Sequence, residues 1–206
     1  MDALATARTV LAADLACDEA DLLSDAVRVV LMEERPGRRR MPRASKALHI
    51  ATMGAGAVVS CDASRFEWAR TELGKLERNQ LFMATGIARI AARVEADGQW
   101  LAGPELKFVC AEEALRPAAV PASIAMDIVD GLAVAELDRQ HEFRHALSYL
   151  TGSPTADLLA AVARIREAGG ARPRRIVGVA GASADCETLW QIGVDVVEGA
   201  RGHRIG

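Results

Sequence analysis

The end of the chain carries the residue types best suited to bind a phosphate group. A β-branched segment, Leu189 to Val197, runs into the basic, glycine-containing stretch Arg201 to Gly206, whose sequence is RGHRIG. Glycine lets the backbone approach a ligand closely, and the N–H groups of such a loop can donate to phosphate oxygens. By residue type alone, the stretch is equally compatible with a polar tail that follows an edge strand.

A second segment matches a zinc-binding pattern. His141 to His145 reads H-E-F-R-H, and in H-E-x-x-H two imidazoles one helical turn apart bind zinc while the glutamate acts as a general base. On a helix, the two histidines would lie opposite the apolar Phe143 and Leu147 and would point toward solvent. A third ligand is also needed, and three downstream side chains are available, none at a recognised spacing: Glu167, Glu187 and His203. The sequence therefore favours a surface helix, with a zinc-dependent metallopeptidase as the alternative.

Composition excludes several classes of protein. Of the 206 residues, 50% are apolar and 26% are charged, which is typical of a globular chain and not of a disordered or fibrous one. The net charge of -3 argues against a nucleic acid as partner. A local basic run, Arg38, Arg39, Arg40 and Arg43, has no aromatic residues interleaved with it, and we expect a solvated loop there.

The cysteines and the chain start indicate a cytoplasmic protein. Cys17, Cys61, Cys110 and Cys186 stand singly, with no C-x-x-C pair, which predicts reduced thiols without zinc or disulfides. The first 16 residues lack the basic start and apolar run of a secretory signal. No segment approaches the roughly 20 apolar residues that span a bilayer, so we expect no membrane association.

Residues 1–118 are predicted to form an α+β domain. Gly54-Ala55-Gly56 does not make a dinucleotide-binding pattern, because Val59 stands where the third glycine belongs, and a hairpin is expected there. A capping box of Ser64 and Glu67 should begin a helix. The predicted elements are a helix Ala3–Leu15, a strand Val27–Met32, a hairpin Leu48–Cys61, the helix after Ser64, a helix Asn79–Ala96 that stops at Gly98, and a strand Leu106–Cys110.

Residues 122–206 are predicted to form a second domain. The proline-containing segment Arg116 to Ser123 has the composition of a domain boundary. After it we expect a strand Ile124–Val129, a helical stretch Leu132–Leu150, and three extended segments, Leu158–Arg164, Arg175–Ala182 and Leu189–Val197. A strand, helices and an antiparallel meander give an α+β architecture.

This order of elements, together with the terminal loop, resembles the GNAT superfamily of N-acetyltransferases over about Ile124 to Gly206. In that family the fourth strand ends in an R-x-x-G-x-G/A loop that binds the pyrophosphate of acetyl-CoA. Arg201 and Gly206 match its first and last positions, while Arg204 stands where the family has glycine. The resemblance assigns acetyl-CoA binding to Val194, Val196, Arg201, Gly202, His203, Arg204, Ile205 and Gly206.

The resemblance also implies a mechanism. An acceptor amine attacks the acetyl-CoA thioester, whose carbonyl is polarised by a backbone N–H near Val196, and a base takes the ammonium proton through water. Asp195 is the candidate base by position, and an exposed strand carboxylate without a role is the alternative. The family continues past the position of Gly206 into a cofactor-binding helix and further strands. We therefore expect an incomplete catalytic domain whose last strand has uncovered apolar surface and an unpaired edge.

A third interpretation treats the chain as a non-catalytic binding module. Residues 1–118 contain no evident pairing of nucleophile and base, and His49 is expected to be an ordinary strand residue. This part of the chain is expected to shape the acceptor site or to mediate formation of a homodimer. The three classes differ in what they bind: acetyl-CoA and an amine, zinc, or a partner alone.

Overall fold

The computed structural model describes residues 2–40, 45–116, 119–139, 142–147, 155–166 and 175–202. These residues form two compact units. The first comprises the described residues up to 39 and from 45 to 114, and the second comprises Arg40 and the described residues from 115 onward. Each unit combines helices with a β-sheet, so the predicted α+β class is confirmed.

The first unit opens with a helix that is capped at both ends. Helix α1, Ala3–Leu15, follows Asp2, whose carboxylate accepts the backbone N–H of Leu4 at 2.9 Å. It ends at Ala16, which adopts the left-handed conformation with φ 58°. The bounds of α1 confirm the predicted helix, and a short helix α2, Glu19–Leu23, follows it.

A three-stranded sheet forms the centre of this unit. Strands β1 (Val27–Leu31), β2 (Leu48–Ala51) and β3 (Ala57–Cys61) lie in the order β1-β3-β2. The central strand β3 is buried along its whole length, is parallel to β1 and pairs antiparallel with β2. The predicted hairpin is therefore confirmed. Gly56 serves packing, because a Cβ on it would lie 2.1 Å from the carbonyl oxygen of Ala26.

Helix α3, Ala63–Trp68, starts two residues earlier than predicted, and it continues into a π-helical turn, Ala69–Leu73. The prediction that Ser64 caps it is wrong. Asp62 occupies the N-cap position and its carboxylate accepts the N–H of Ser64 at 2.8 Å. An aspartate and a serine have similar preference for this position, so the residue nearer the preceding strand takes it.

The predicted helix Asn79–Ala96 is two helices, α4 (Arg78–Phe82) and α5 (Ala84–Glu95), which meet at an extended Met83. Gly86 lies at this junction, where a Cβ would be 2.1 Å from the carbonyl oxygen of Gln80. The continuous apolar periodicity conceals this break, because both helices bury residues in the same core. The predicted stop is confirmed: Gly98 has φ +73° and donates its N–H to Glu95.

The predicted strand Leu106–Cys110 is wrong. Residues 99–111 contain no helix or strand, and the side chains of Leu106 and Phe108 are 83% and 88% exposed. A β-branched and aromatic composition favours extended backbone, but a strand forms only where a neighbour accepts its hydrogen bonds. A short 3₁₀ turn, Glu112–Ala114, ends the first unit.

A buried ionic cluster holds the end of α5 against α3. Arg65 is 1% exposed, and its Nη2 donates to Asp97 Oδ2 at 2.9 Å and to Gln99 Oε1 at 2.8 Å. Lys46 Nζ donates to the other carboxylate oxygen of Asp97 at 2.8 Å. The carboxylate therefore balances two cations that would otherwise face one another.

This cluster makes the stability of the first unit depend on acidity. The hydrogen bonds from Lys46 and then Arg65 lower the pKa of Asp97 from 3.8 to about 2. Because the folded pKa lies below the unfolded one, the stabilisation is complete above pH 3.8 and is lost as the pH falls toward 2. We expect the free energy of unfolding to fall across this window, and to fall less steeply in Asp97→Asn. Urea titrations at intervals between the two pH values measure both slopes.

The second unit is built on a four-stranded antiparallel sheet. Its strands are β4 (Ile124–Asp130), β5 (Asp157–Ile165), β6 (Arg175–Ala184) and β7 (Trp190–Val196), in spatial order β4-β5-β6-β7. All four strands predicted after residue 122 are thereby confirmed. Helix α6, Gly131–Arg139, lies between β4 and β5 in the chain.

One face of this sheet carries the core of the second unit. Phe143 and Leu147, with Val134 and Leu137 of α6, pack on Val162 and Val179 of the two central strands. The predicted helical stretch Leu132–Leu150 is too long, because α6 ends at Arg139 and residues 144–146 form a turn. Residues 140–141 and 148–150 lie outside the described part. No helix in the described ranges is long and apolar enough to cross a membrane.

Candidate functional site at the edge strand β7

Strand β7 is the last strand of its sheet. It pairs with β6 from Gly178 opposite Val196 to Ala184 opposite Trp190. Within the described ranges no strand pairs with its other edge. Every second backbone N–H and C=O of β7 therefore points away from the sheet and is open to a ligand with complementary amides.

Asp195 connects this edge strand to the turn that follows α6. It stands opposite Val179 on the face that carries the core, and its Oδ2 accepts the backbone N–H of His145 at 3.0 Å. One carboxylate oxygen of the predicted base is thus engaged in holding the turn. The role of Asp195 as a base stays a prediction, in which Oδ1 would take the proton.

Two glycines allow the turn to lie directly on the strands. Gly181 and Gly193 stand opposite each other on β6 and β7. A Cβ on Gly181 would lie 2.1 Å from the carbonyl oxygen of Ala146, and one on Gly193 would lie 2.3 Å from that of His145. These glycines were not among the predicted site residues. Their signal is a glycine inside a β-branched strand, which often marks a close approach of another backbone segment.

The segment after β7 turns back against the sheet. Val197 donates its N–H to Val177 at 2.9 Å, and Glu198–Ala200 form a 3₁₀ turn. The Nε of Arg201 donates to the carbonyl oxygen of Val196 at 3.1 Å, while the side chain remains exposed. Gly202 has φ +79°, a conformation that favours glycine.

The predicted cofactor residues are therefore only partly gathered at one place. Val194 and Val196 lie on the face of the sheet opposite Asp195, and Arg201 and Gly202 follow the end of β7. The other predicted residues of the loop lie outside the described residues: His203, Arg204, Ile205 and Gly206.

The described part of the chain shows no metal centre. Glu142 and His145 lie in or beside the turn and not on a helix, while His141 is outside the described residues. Phe143 is buried and His145 is exposed, as the pattern predicts. No cluster of three or more histidine, cysteine, aspartate or glutamate residues in the described ranges could hold a metal ion.

The basic segment is only in part the solvated loop that we predicted, because Arg40 is exposed but Arg38 and Arg39 are not. The side chain of Arg38 is 9% exposed and that of Arg39 is 17% exposed. Arg39 forms an ion pair with the buried Asp14, whose Oδ1 also accepts the backbone N–H of Arg39 at 2.8 Å. The negative charge of Asp14 in α1 holds the loop against the protein. The two paired residues are 25 positions apart, so local composition does not reveal the contact. Arg43 is outside the described residues.

The four cysteines are free thiols, as predicted. Burial is the main cause that raises the pKa of Cys17 and of Cys61 to about 11. Both therefore remain protonated at neutral pH and are poor nucleophiles.

Each unit of the described structure has a concave region. A cavity of about 610 Å³ in the first unit is lined by apolar residues and by the carboxylates of Asp2 and Glu113. A depression of about 60 Å³ in the second unit lies on the open sheet face, between Met126, Gly178 and Val194. The smaller one cannot enclose a thioester cofactor.

No protein-family model, no curated protein and no solved structure matches this chain. Its function is therefore inferred from its own residues and their arrangement.

Proposed function

We propose that the second unit belongs to an N-acetyltransferase of the GNAT type, which binds acetyl-CoA along the open edge of β7 and transfers the acetyl group to an amine. The supporting observation is the antiparallel order β4-β5-β6-β7, with α6 between the first two strands and a basic, glycine-containing segment directly after the last. This is the order of elements that the resemblance implies for the first half of such a domain.

The open edge supplies the groups that the linear part of acetyl-CoA requires. Its pantetheine arm contains amides, and an extended amide chain can bind beside a strand through the unpaired backbone N–H and C=O groups of that strand. At the end of β7, the guanidinium of Arg201 and the backbone around Gly202 are suited to phosphate oxygens. Among the described residues, Arg201 forms a hydrogen bond through Nε alone, so its other N–H groups can turn to a diphosphate.

The proposed reaction is direct transfer. The nitrogen of the acceptor amine attacks the thioester carbonyl carbon, a C–N bond forms, the C–S bond breaks and the thiolate of coenzyme A leaves. A backbone N–H of β7 near Val196 stabilises the negative charge that develops on the carbonyl oxygen. The ammonium proton passes through water to Oδ1 of Asp195, and the thiolate is protonated from solvent.

Calorimetric titration of acetyl-CoA tests this proposal. We expect saturable binding to the 206-residue chain and about tenfold weaker binding to Arg201→Ala, because a charge-assisted hydrogen bond to a phosphate is lost. Arg70→Ala is the matched control, since Arg70 is an exposed arginine that contacts only Glu67 among the described residues. Absence of binding, or equal affinity in both variants, would refute the assignment.

A further inference from the structure

The sheet of the second unit has a second face, of which the described structure covers only one end, where Ala200 packs with Ile124 and Ala163. Strand register places alternate residues of all four strands on the face opposite the core. Ile128 on β4 and Ile192 on β7 are 72% and 68% exposed on this open face. Five further large apolar side chains are exposed there: Met126, Leu159, Ile165, Trp190 and Val194.

The centre of the open face is flat and uncharged. Small residues of the two central strands, Ala161, Gly178 and Ala180, form its floor, which contains the shallow depression of about 60 Å³. The charged residues that the register places on this face, Asp130 and Arg175, stand at its opposite ends. An apolar centre with charged groups confined to the rim is the arrangement found in protein interfaces.

We propose that the open face is the interface of a homodimer, in which the same face of a second copy covers it. Two such faces would stack as a β-sandwich, whose sheets pack about 10 Å apart. The contact would be isologous, so the same apolar residues of each copy would be buried against those of the other. This inference does not depend on acetyl-CoA binding.

The size of the face agrees with this occupant. Four strands about 4.8 Å apart, each with about seven residues rising 3.3 Å, give roughly 450 Å² in projection per copy. One end of the face is already covered, so two copies bury at most about 900 Å² in projection, the size of a weak, reversible protein interface. The centre has no charge to attract an ionic partner such as a nucleic acid or an acidic peptide, whereas a second copy brings an equally uncharged surface.

Sedimentation velocity over about 1 to 200 μM protein tests the proposal. This range is set by the micromolar affinity that we expect of a small interface. We expect a reversible dimer in the wild-type chain. Ile192→Asp and Ile128→Asp should each weaken dimerisation by at least about tenfold, because each buries two unpaired carboxylates in a symmetric contact. Leu106→Asp is the matched control: it places the same charge on an equally exposed apolar residue of the first unit and should leave the dimer intact.

The variants are informative only while folded, and both isoleucines are mostly exposed, so circular dichroism should show an unchanged fold. Raising the concentration of sodium chloride should not dissociate the dimer, because its contacts are apolar. A wild-type chain that is monomeric throughout the range would overturn the proposal. So would a dimer that survives both aspartate substitutions, or one that Leu106→Asp also dissociates.

Discussion

Gly181→Ala should lower the free energy of unfolding of the second unit by about 3 kcal/mol or more, as expected for severe overpacking. The added Cβ would lie 2.1 Å from the carbonyl oxygen of Ala146 and 2.8 Å from Leu147 Cδ2. The first of these atoms belongs to the backbone, so no change of rotamer relieves the contact. The turn has to lift off the sheet, which also separates His145 from Asp195.

Thermal unfolding followed by calorimetry measures this effect. Gly193→Ala should behave similarly, since its Cβ would lie 2.3 Å from the carbonyl oxygen of His145. Gly199→Ala is the control, because a Cβ there meets nothing within 4 Å. If Gly181→Ala were as stable as Gly199→Ala, the turn would not lie on the sheet as described.

Arg65→Met should destabilise the first unit by about 3 kcal/mol, the effect typical of removing one partner from a buried ion pair. Methionine fills much of the volume of the arginine stem but leaves Asp97 and Gln99 without the donor that joins them. Asp97 retains Lys46 and the more distant Arg93, at 2.8 and 3.5 Å, which keeps the loss at the lower end of the usual range.

Urea unfolding of Arg65→Met, compared with Arg89→Met, isolates the effect of burial. Arg89 also faces a carboxylate, Glu72 at 3.3 Å, but both side chains are about half exposed, so its replacement should produce no measurable change. Equal stability of the two variants would show that the Arg65 cluster does not support the fold.

The strands of the second unit could be predicted because their signals are local. Segments such as Arg175–Ala184 combine β-branched residues with small ones between turns, and the antiparallel order of β5, β6 and β7 follows from the short connections between them. The strand predicted at Leu106–Cys110 has the same local composition, yet no described residue pairs with it. Strand formation requires a partner strand, which lies elsewhere in the chain. The sequence of the segment itself does not show whether that partner exists.

The candidate site was predictable only in part, for a similar reason. Asp195 and Arg201 stood out because of their place on and after a β-branched strand. The contact of Asp195 with His145 joins positions 50 residues apart. The close packing of the turn on Gly181 and Gly193 depends on the strand register that places these glycines opposite each other. The burial of Arg39 could not be predicted, because its partner, Asp14, lies far away in the sequence, in α1.

Backbone amide hydrogen exchange with and without acetyl-CoA tests the proposed site most directly. We predict that acetyl-CoA slows exchange at amides of β7 that face away from β6, and at residues 198–202, while the three-stranded sheet of the first unit is unchanged. The open edge of β7 is where a bound pantetheine arm would accept these N–H groups. Acetyl-CoA that leaves β7 unprotected, or that protects only the first unit, would contradict the account.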